Sequence, residues 1–200
     1  MISVIFDTSN RNLSVGVAKD GVLIASKEAE GWQRQSELLI PTLNDLFLDH
    51  GLDTKDIKEV IASKGPGSYT GIRISVSVAK VLAFALNVPL YMLSFLEAMR
   101  DLNNDSICLM NARGNRSYIG VYGKNSVIIS DTIWPNEKVL SYIKEHPSFS
   151  LRGDTEYLGI KSEKIDLSSN MLKMKNISHL VEDPRKAKPV YLKDLGYEGL

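Results

Sequence analysis

The sequence predicts an α/β protein, a mixed sheet with helices laid over it. Short β-branched runs separated by turn residues recur through the first hundred positions. Two longer stretches, 36–50 and 71–86, space their apolar residues at helical intervals instead. In chain order the first half reads β-β-β-α-β-α-β-α, which is the order of a layered sheet rather than of a bundle or a barrel.

Each element has its own signal. A strand at 2–6 ends in the polar turn Asp7-Thr8-Ser9-Asn10-Arg11-Asn12, and a second strand at 13–18 follows. Asp20-Gly21 is a tight-hairpin dipeptide and turns the chain into a third strand at 22–29. In 36–50, Leu39, Ile40, Leu43, Leu46 and Phe47 fall within an arc of roughly 120°, one side of a helix. Pro41 lacks an N–H, so this helix should start shortly before it or bend there. A buried strand at 57–63, a glycine-rich turn at 65–71, a helix at 71–86 and a strand at 88–93 come next, then a short helix at 94–100 capped by Ser94. The polar stretch 102–105 is the expected boundary between two units, 1–102 and 103–200, with the terminal helix able to pack back on the first. Beyond it the pattern gives strands at 106–110, 117–122, 127–133 and 148–152, a helix at 136–144, a helical turn from Asp154 and a helix at 169–181. No repeat and no low-complexity tract interrupts the chain.

Composition narrows the function classes. The 200 residues hold 24 Lys plus Arg and 24 Asp plus Glu, so the net charge is zero. The first hundred residues carry 10 basic and 11 acidic side chains and the second hundred 14 and 13, so neither half is a basic face for autonomous nucleic-acid binding. Hydrophobic residues at 44% and charged ones at 24% are ordinary globular proportions. Cys108 is the single cysteine, which excludes an intrachain disulfide and a zinc cluster. His50, His146 and His179 have no helical spacing between them, so no metal site is expected. The opening MISVIFDTSN has no basic segment, and its apolar run stops at Asp7, unlike a signal peptide. Residues 74–96 imitate a membrane span with Lys80 as the only charge. Ser75, Ser77, Asn87 and Pro89 make them read instead as a buried helix and a short strand. A cytoplasmic protein is expected.

Three features could carry chemistry. The helix at 71–86 has two apolar faces, Ile72-Val76-Ala79-Ala83-Leu86 and Ile74-Val78-Val81-Ala85, separated by the polar stripe Arg73-Ser77-Lys80-Asn87. One sheet can cover only one of them, so the other needs a second helix of this chain or a partner. Because Ala79 and Ala83 are small, the expected pairing face is the Ile72-Val76-Ala79-Ala83 one, together with Leu39 and Leu43 of the neighbouring helix. Second, the turn Gly65-Pro66-Gly67-Ser68-Tyr69-Thr70-Gly71 delivers a strand to a helix N-terminus, where N–H groups favour anions. It lacks the Gly-Lys-Ser/Thr of a Walker loop and is equally a tight structural turn. Third, Asp7-Thr8-Ser9 offers a carboxylate and two hydroxyls at a strand end, fit to hold phosphate or Mg²⁺ or to close an Asx turn. No nucleophile, base and orienting residue can be assembled, so no catalytic residue is assigned.

Three segments, in order, resemble one family. Ile5-Phe6-Asp7-Thr8-Ser9 with the following strand resembles the "IDTS…SVAL" opening of bacterial TsaB proteins. The block 65–73, ending Gly71-Ile72-Arg73, with Ala79-Lys80-Val81-Leu82-Ala83 behind it, resembles their "GPGSFTGLR…AKGLA" signature. Fainter echoes are Gln35-Ser36-Glu37-Leu38-Leu39-Ile40-Pro41, Asn111-Ala112-Arg113 and Pro189-Val190-Tyr191-Leu192-Lys193, while 115–188 is mostly unmatched. Gln35 stands where many members have His, and Asn111 where many have Asp.

The resemblance implies two ribonuclease-H-like lobes of the actin-like ATPase and sugar-kinase superfold, the second lobe reduced. It implies a non-catalytic subunit in the synthesis of N6-threonylcarbamoyladenosine beside the anticodon of tRNA, pairing with a TsaD-like transferase that a TsaE-like ATPase joins. It also implies a homodimer when the transferase is absent, tRNA contact only through the complex, and no cofactor for this chain alone, with ATP and a metal in the partner subunits. The His-x-x-x-His helix through which the transferase binds metal is absent here. The competing reading is a small phosphotransferase or ATPase acting through Asp7, Thr8 and Ser9 with Gly65, Gly67, Ser68, Thr70 and Gly71. It finds only Arg152-Gly153-Asp154 as a second-lobe motif. A peptidase, an older label of the transferase relatives, has no ligand set or nucleophile to support it.

Overall fold

A computed structural model describes residues 1–31 and 34–193. It contains two mixed sheets flanked by helices. In the first, β1 (Ile2–Asp7), β2 (Asn12–Lys19) and β3 (Val22–Glu30) form an antiparallel meander. Asp20 and Gly21 adopt the positive φ that their hairpin turn requires. β4 (Ile57–Ser63) lies parallel to β1, and β5 (Leu90–Leu93) parallel to β4. Every residue of β1 is buried, as befits a strand covered on both faces.

The two faces of this sheet are clad differently. Residues Val4, Phe6, Val15 and Val17 pack beneath α1 (Gln35–Asp49) and α2 (Tyr69–Leu86). Ile5, Ala18 and Ile61, on the opposite face, share a second core with α3 (Phe95–Ala98) and with residues of the second sheet. That sheet has the order β8-β7-β6-β9, from β6 (Ser106–Asn111), β7 (Arg116–Gly123), β8 (Ser126–Pro135) and β9 (Ser150–Gly153). α4 (Asn136–Glu145) packs over β7 and β8.

The second half of the chain then returns to the first sheet. α5 (Leu167–Met174) packs against β1, β2, β3 and β4. Here the expectation of a helix at 169–181 is corrected. The helix stops at Met174, and Leu180–Val181 form β10, pairing antiparallel with Tyr91 and Leu90 of β5. Of the two expectations for Pro41, a helix start shortly before it is corrected, since Pro41 lies well inside α1. The 88–93 strand is shorter than its apolar run, because Asn87 closes α2 in a left-handed conformation and pairing begins at Leu90. By length and composition α2 could cross a membrane, but its Ile72, Val76, Ala79 and Ala83 are buried over the sheet.

Candidate functional site

The first candidate region lies where the 7–12 turn meets the 65–71 turn, and close packing explains both. A Cβ at position 67 would lie 2.2 Å from the Ser9 carbonyl oxygen, and one at 71 only 1.9 Å from that of Thr8. The two glycines therefore let one turn rest directly on the other. The Ser68 N–H donates to Ser9 O at 2.7 Å, and the Thr8 hydroxyl donates to Gly71 O at 2.7 Å. Ser68 caps α2 by accepting from the Gly71 N–H.

Asp7, Thr8 and Ser9, expected to face a phosphate, are wholly buried and turned to protein partners. Asp7 Oδ1 accepts the Ser9 N–H at 3.1 Å and the hydroxyl of Ser63. Ser9 Oγ lies 2.8 Å from Ser63 Oγ, and Ser75 Oγ donates to Ser63 O at 2.8 Å. Burial raises the pKa of Asp7, against the opposing pull of Ser63, Ser9 and the Asn10 amide. The sequence gives Ser63 and Ser75 no role in this region; the structure does. The available signal was a serine closing a buried strand two residues before a glycine turn.

Between the two sheets lies a cleft of about 710 Å³. Ser9, Gly67 and Ser68 reach its wall from the two turns, while Asn111, Arg113 and Asp154 reach it from the second sheet. The chain's last described stretch crosses it. Val190 donates its N–H to Lys64 O at 2.7 Å, Tyr191 stacks on Tyr69 at 4.9 Å, and Lys193 Nζ reaches Ala112 O at 3.2 Å. Gln35, at the position where many TsaB proteins have His, donates from Nε2 to Asn10 O at 3.1 Å and braces the first turn. Asn111 Oδ1 accepts the Arg113 N–H at 2.8 Å. Of the second-lobe motif, Arg152 is partly buried and paired with Asp101 and Glu163, each at 2.6 Å, so its guanidinium ties β9 to the 101–105 linker. Among the described residues, no three His, Cys, Asp or Glu side chains group as metal ligands.

The second candidate region is the surface of α1 and α2, and here the expected pairing face is corrected. Ile72 and Ala79 are 1% and 0% exposed, and Val76, Ala83, Leu39 and Leu43 are buried with them in the first core. The small residues allow close approach to the chain's own sheet. The outward side of α2 carries Tyr69, Val81 and Phe84, with Val81 65% and Phe84 61% exposed. Ile40 and Leu48 of α1 are exposed as well. Arg73 lies over the Tyr69 ring at 5.4 Å and Arg185 over Phe84 at 5.7 Å, so two cations lie among the exposed apolar side chains of α2.

Comparison with known proteins gives a consistent picture. Residues 30–176 match the family described as TsaD, tRNA N6-adenosine threonylcarbamoyltransferase. A protein of Bacillus subtilis (strain 168), named tRNA threonylcarbamoyladenosine biosynthesis protein TsaB, is 28% identical over 144 residues, 70% of this chain and 62% of the relative. The protein of the same name from Buchnera aphidicola subsp. Schizaphis graminum is 32% identical over 149 residues, 72% of this chain and 69% of the relative. The solved structure of YeaZ from Pseudomonas aeruginosa superposes with a TM-score of 0.82 at 21% identity, covering 96% of this chain and 99% of that one.

Proposed function

The chain belongs to the TsaB family, and we propose that it serves there as a non-catalytic pairing subunit in N6-threonylcarbamoyladenosine synthesis on tRNA. The observation that carries this reading is the outward face of α2. A monomer keeps Val81 and Phe84 in water at a cost of lost burial, and exposed apolar side chains interleaved with Arg73 and neighboured by Arg185 have the mixed apolar and cationic make-up of an interface. Its occupant in this reading is a TsaD-like transferase, joined by a TsaE-like ATPase, or a second copy of this chain when the transferase is absent.

The inward commitment of Asp7, Thr8 and Ser9 supports the absence of catalysis here. Asp7 Oδ1 and the hydroxyls of Thr8 and Ser9 are buried and hydrogen-bonded to protein. ATP and metal chemistry then belong to the partner subunits, tRNA is met only in the assembled complex, and the site of action is the cytoplasm. Co-purification with the transferase of the same organism tests the reading. Wild type should bring the transferase down and Val81→Glu/Phe84→Glu should not. Turnover of ATP by the lone chain would contradict it, as would a double variant that still binds.

A further inference from the structure

Residues 187–193 join the two halves of the molecule without forming a helix or a strand. Ala187 is buried in the first core, and Leu192 packs against the second. Three separate contacts hold the segment. The Val190 N–H donates to Lys64 O at 2.7 Å, the Tyr191 ring stacks on Tyr69 at 4.9 Å, and Lys193 Nζ donates to Ala112 O at 3.2 Å. Lys64 follows β4 of the first sheet, whereas Ala112 follows β6 of the second. The segment is therefore a strap across the cleft, and residues 190–193 form part of the cleft wall.

The strap has a built seat and a weak hold. Gly65 has φ +98°, and a Cβ there would lie 2.7 Å from the Val190 carbonyl oxygen, so the turn accepts the strap only because position 65 carries no side chain. The hold is one backbone hydrogen bond, one amine contact and one ring stack, each of small net worth in water. Contacts this sparse, outside any ladder, put a segment at the low-stability end of a fold. Tyr69 and Tyr191 remain 40% and 41% exposed although they are stacked. Tyr69 is also the first residue of α2, and Tyr69, Arg73, Ser77, Lys80 and Phe84 recur three or four residues apart along one side of that helix. Arg185, two residues before the strap, lies over Phe84 near the other end of the same stripe.

We propose that residues 187–193 are a releasable strap over the interlobe cleft, caught by the Tyr69–Tyr191 stack and closed by a partner that covers the outward side of α2. The inference rests on the pairing reading and names its regulation. A partner seated over Tyr69 meets Tyr191 only while the strap is closed, and it then takes both half-exposed rings out of water. It therefore binds the closed state more tightly and shifts the strap toward that state. Linkage makes the effect reciprocal, so a closed strap strengthens pairing by the same factor.

Hydrogen exchange on the full chain, read on the peptide spanning 187–193, tests this with and without the transferase of the same organism. In the lone chain this peptide should exchange much faster than the buried strand β1. Saturation with the transferase should slow it about fivefold or more. Tyr191→Ala should speed exchange in the lone chain by about two- to tenfold and weaken transferase binding, and Tyr191→Phe, which keeps the stack, should restore both. Lys193→Met, which removes the tie to Ala112 and is not on α2, should act in the same direction, as a direct contact of Tyr191 with the partner would not require. A strap as protected as β1, or one indifferent to Tyr191→Ala, would overturn the catch whether or not pairing occurs. Bound transferase with unchanged strap exchange would overturn the coupling and leave the pairing reading standing. A transferase that does not bind at all would overturn both together.

Discussion

The two sides of α2 both carry apolar residues, with opposite fates. Ile72, Val76, Ala79 and Ala83 lie against the first sheet, whereas Tyr69, Val81 and Phe84 meet solvent. The difference is one of shape. The inner side is lined by alanines, serine and β-branched residues, which let the helix axis come close to β4, and Gly71 continues that approach into the 7–12 turn. The outer side carries a bulky aromatic and a valine that stay 61% and 65% exposed among the described residues, although Arg185 reaches over the Phe84 ring. Small residues on a two-faced helix therefore mark the surface nearest its own sheet, and large exposed ones mark the face that the proposed pairing would cover.

Substitutions can break this contrast. Ala79→Glu puts a charge at a position with no exposure, so loss of several kcal/mol and unfolding are expected, read by urea titration with circular dichroism. A folded Ala79→Glu chain would remove the inner face from the core. Gly71→Ala should cost about 1–3 kcal/mol, because its methyl group would meet the Thr8 carbonyl oxygen and the two turns would have to separate. On the outer face, Phe84→Glu should leave the urea midpoint nearly unchanged, within about 0.5 kcal/mol. The same change should weaken association by about 2 kcal/mol or more, as expected for an interface anchor. Sedimentation at matched concentrations separates the two effects.

A smaller effect, away from both faces, serves as a control. Burial works to raise the pKa of Asp101, but the Asn103 amide, Arg152, Asn104 and Ser150 outweigh it and hold the carboxyl below its ordinary value. That stabilisation is fully present above the unfolded pKa, about 3.9, and is lost as pH falls through the folded value. Wild type should therefore lose stability below about pH 4 more steeply than Asp101→Asn, and the two curves should converge in acid. Parallel curves would mean that the Arg152 network is not what holds β9 to the linker.

The sequence made the elements plain and the contacts between them less so. β4 falls at 57–63 as its apolar run predicts, and α2 closes at Leu86 where the helical spacing ends. Periodicity shows that a helix has two apolar faces but not which of them the sheet occupies, and the face expected to pair is the one this chain's own sheet buries. The tail was obscure because β10 is two residues long and exists only by pairing with β5. Asp7 was visible as a candidate, but its buried state depends on Ser63, 56 residues away, which only the parallel pairing of β1 and β4 brings beside it.

Thiol protection tests the central claim most directly. Cys108 is the single cysteine and is buried, with its pKa pushed up by desolvation, so a thiol introduced elsewhere reports alone. Val81→Cys in the dilute lone chain should react quickly with a maleimide and become protected when the transferase of the same organism is added. Ala79→Cys should stay unreactive under both conditions. A complex that forms while the thiol at 81 remains fully reactive would show that the partner sits elsewhere and would contradict the assignment of the outer face of α2 to pairing.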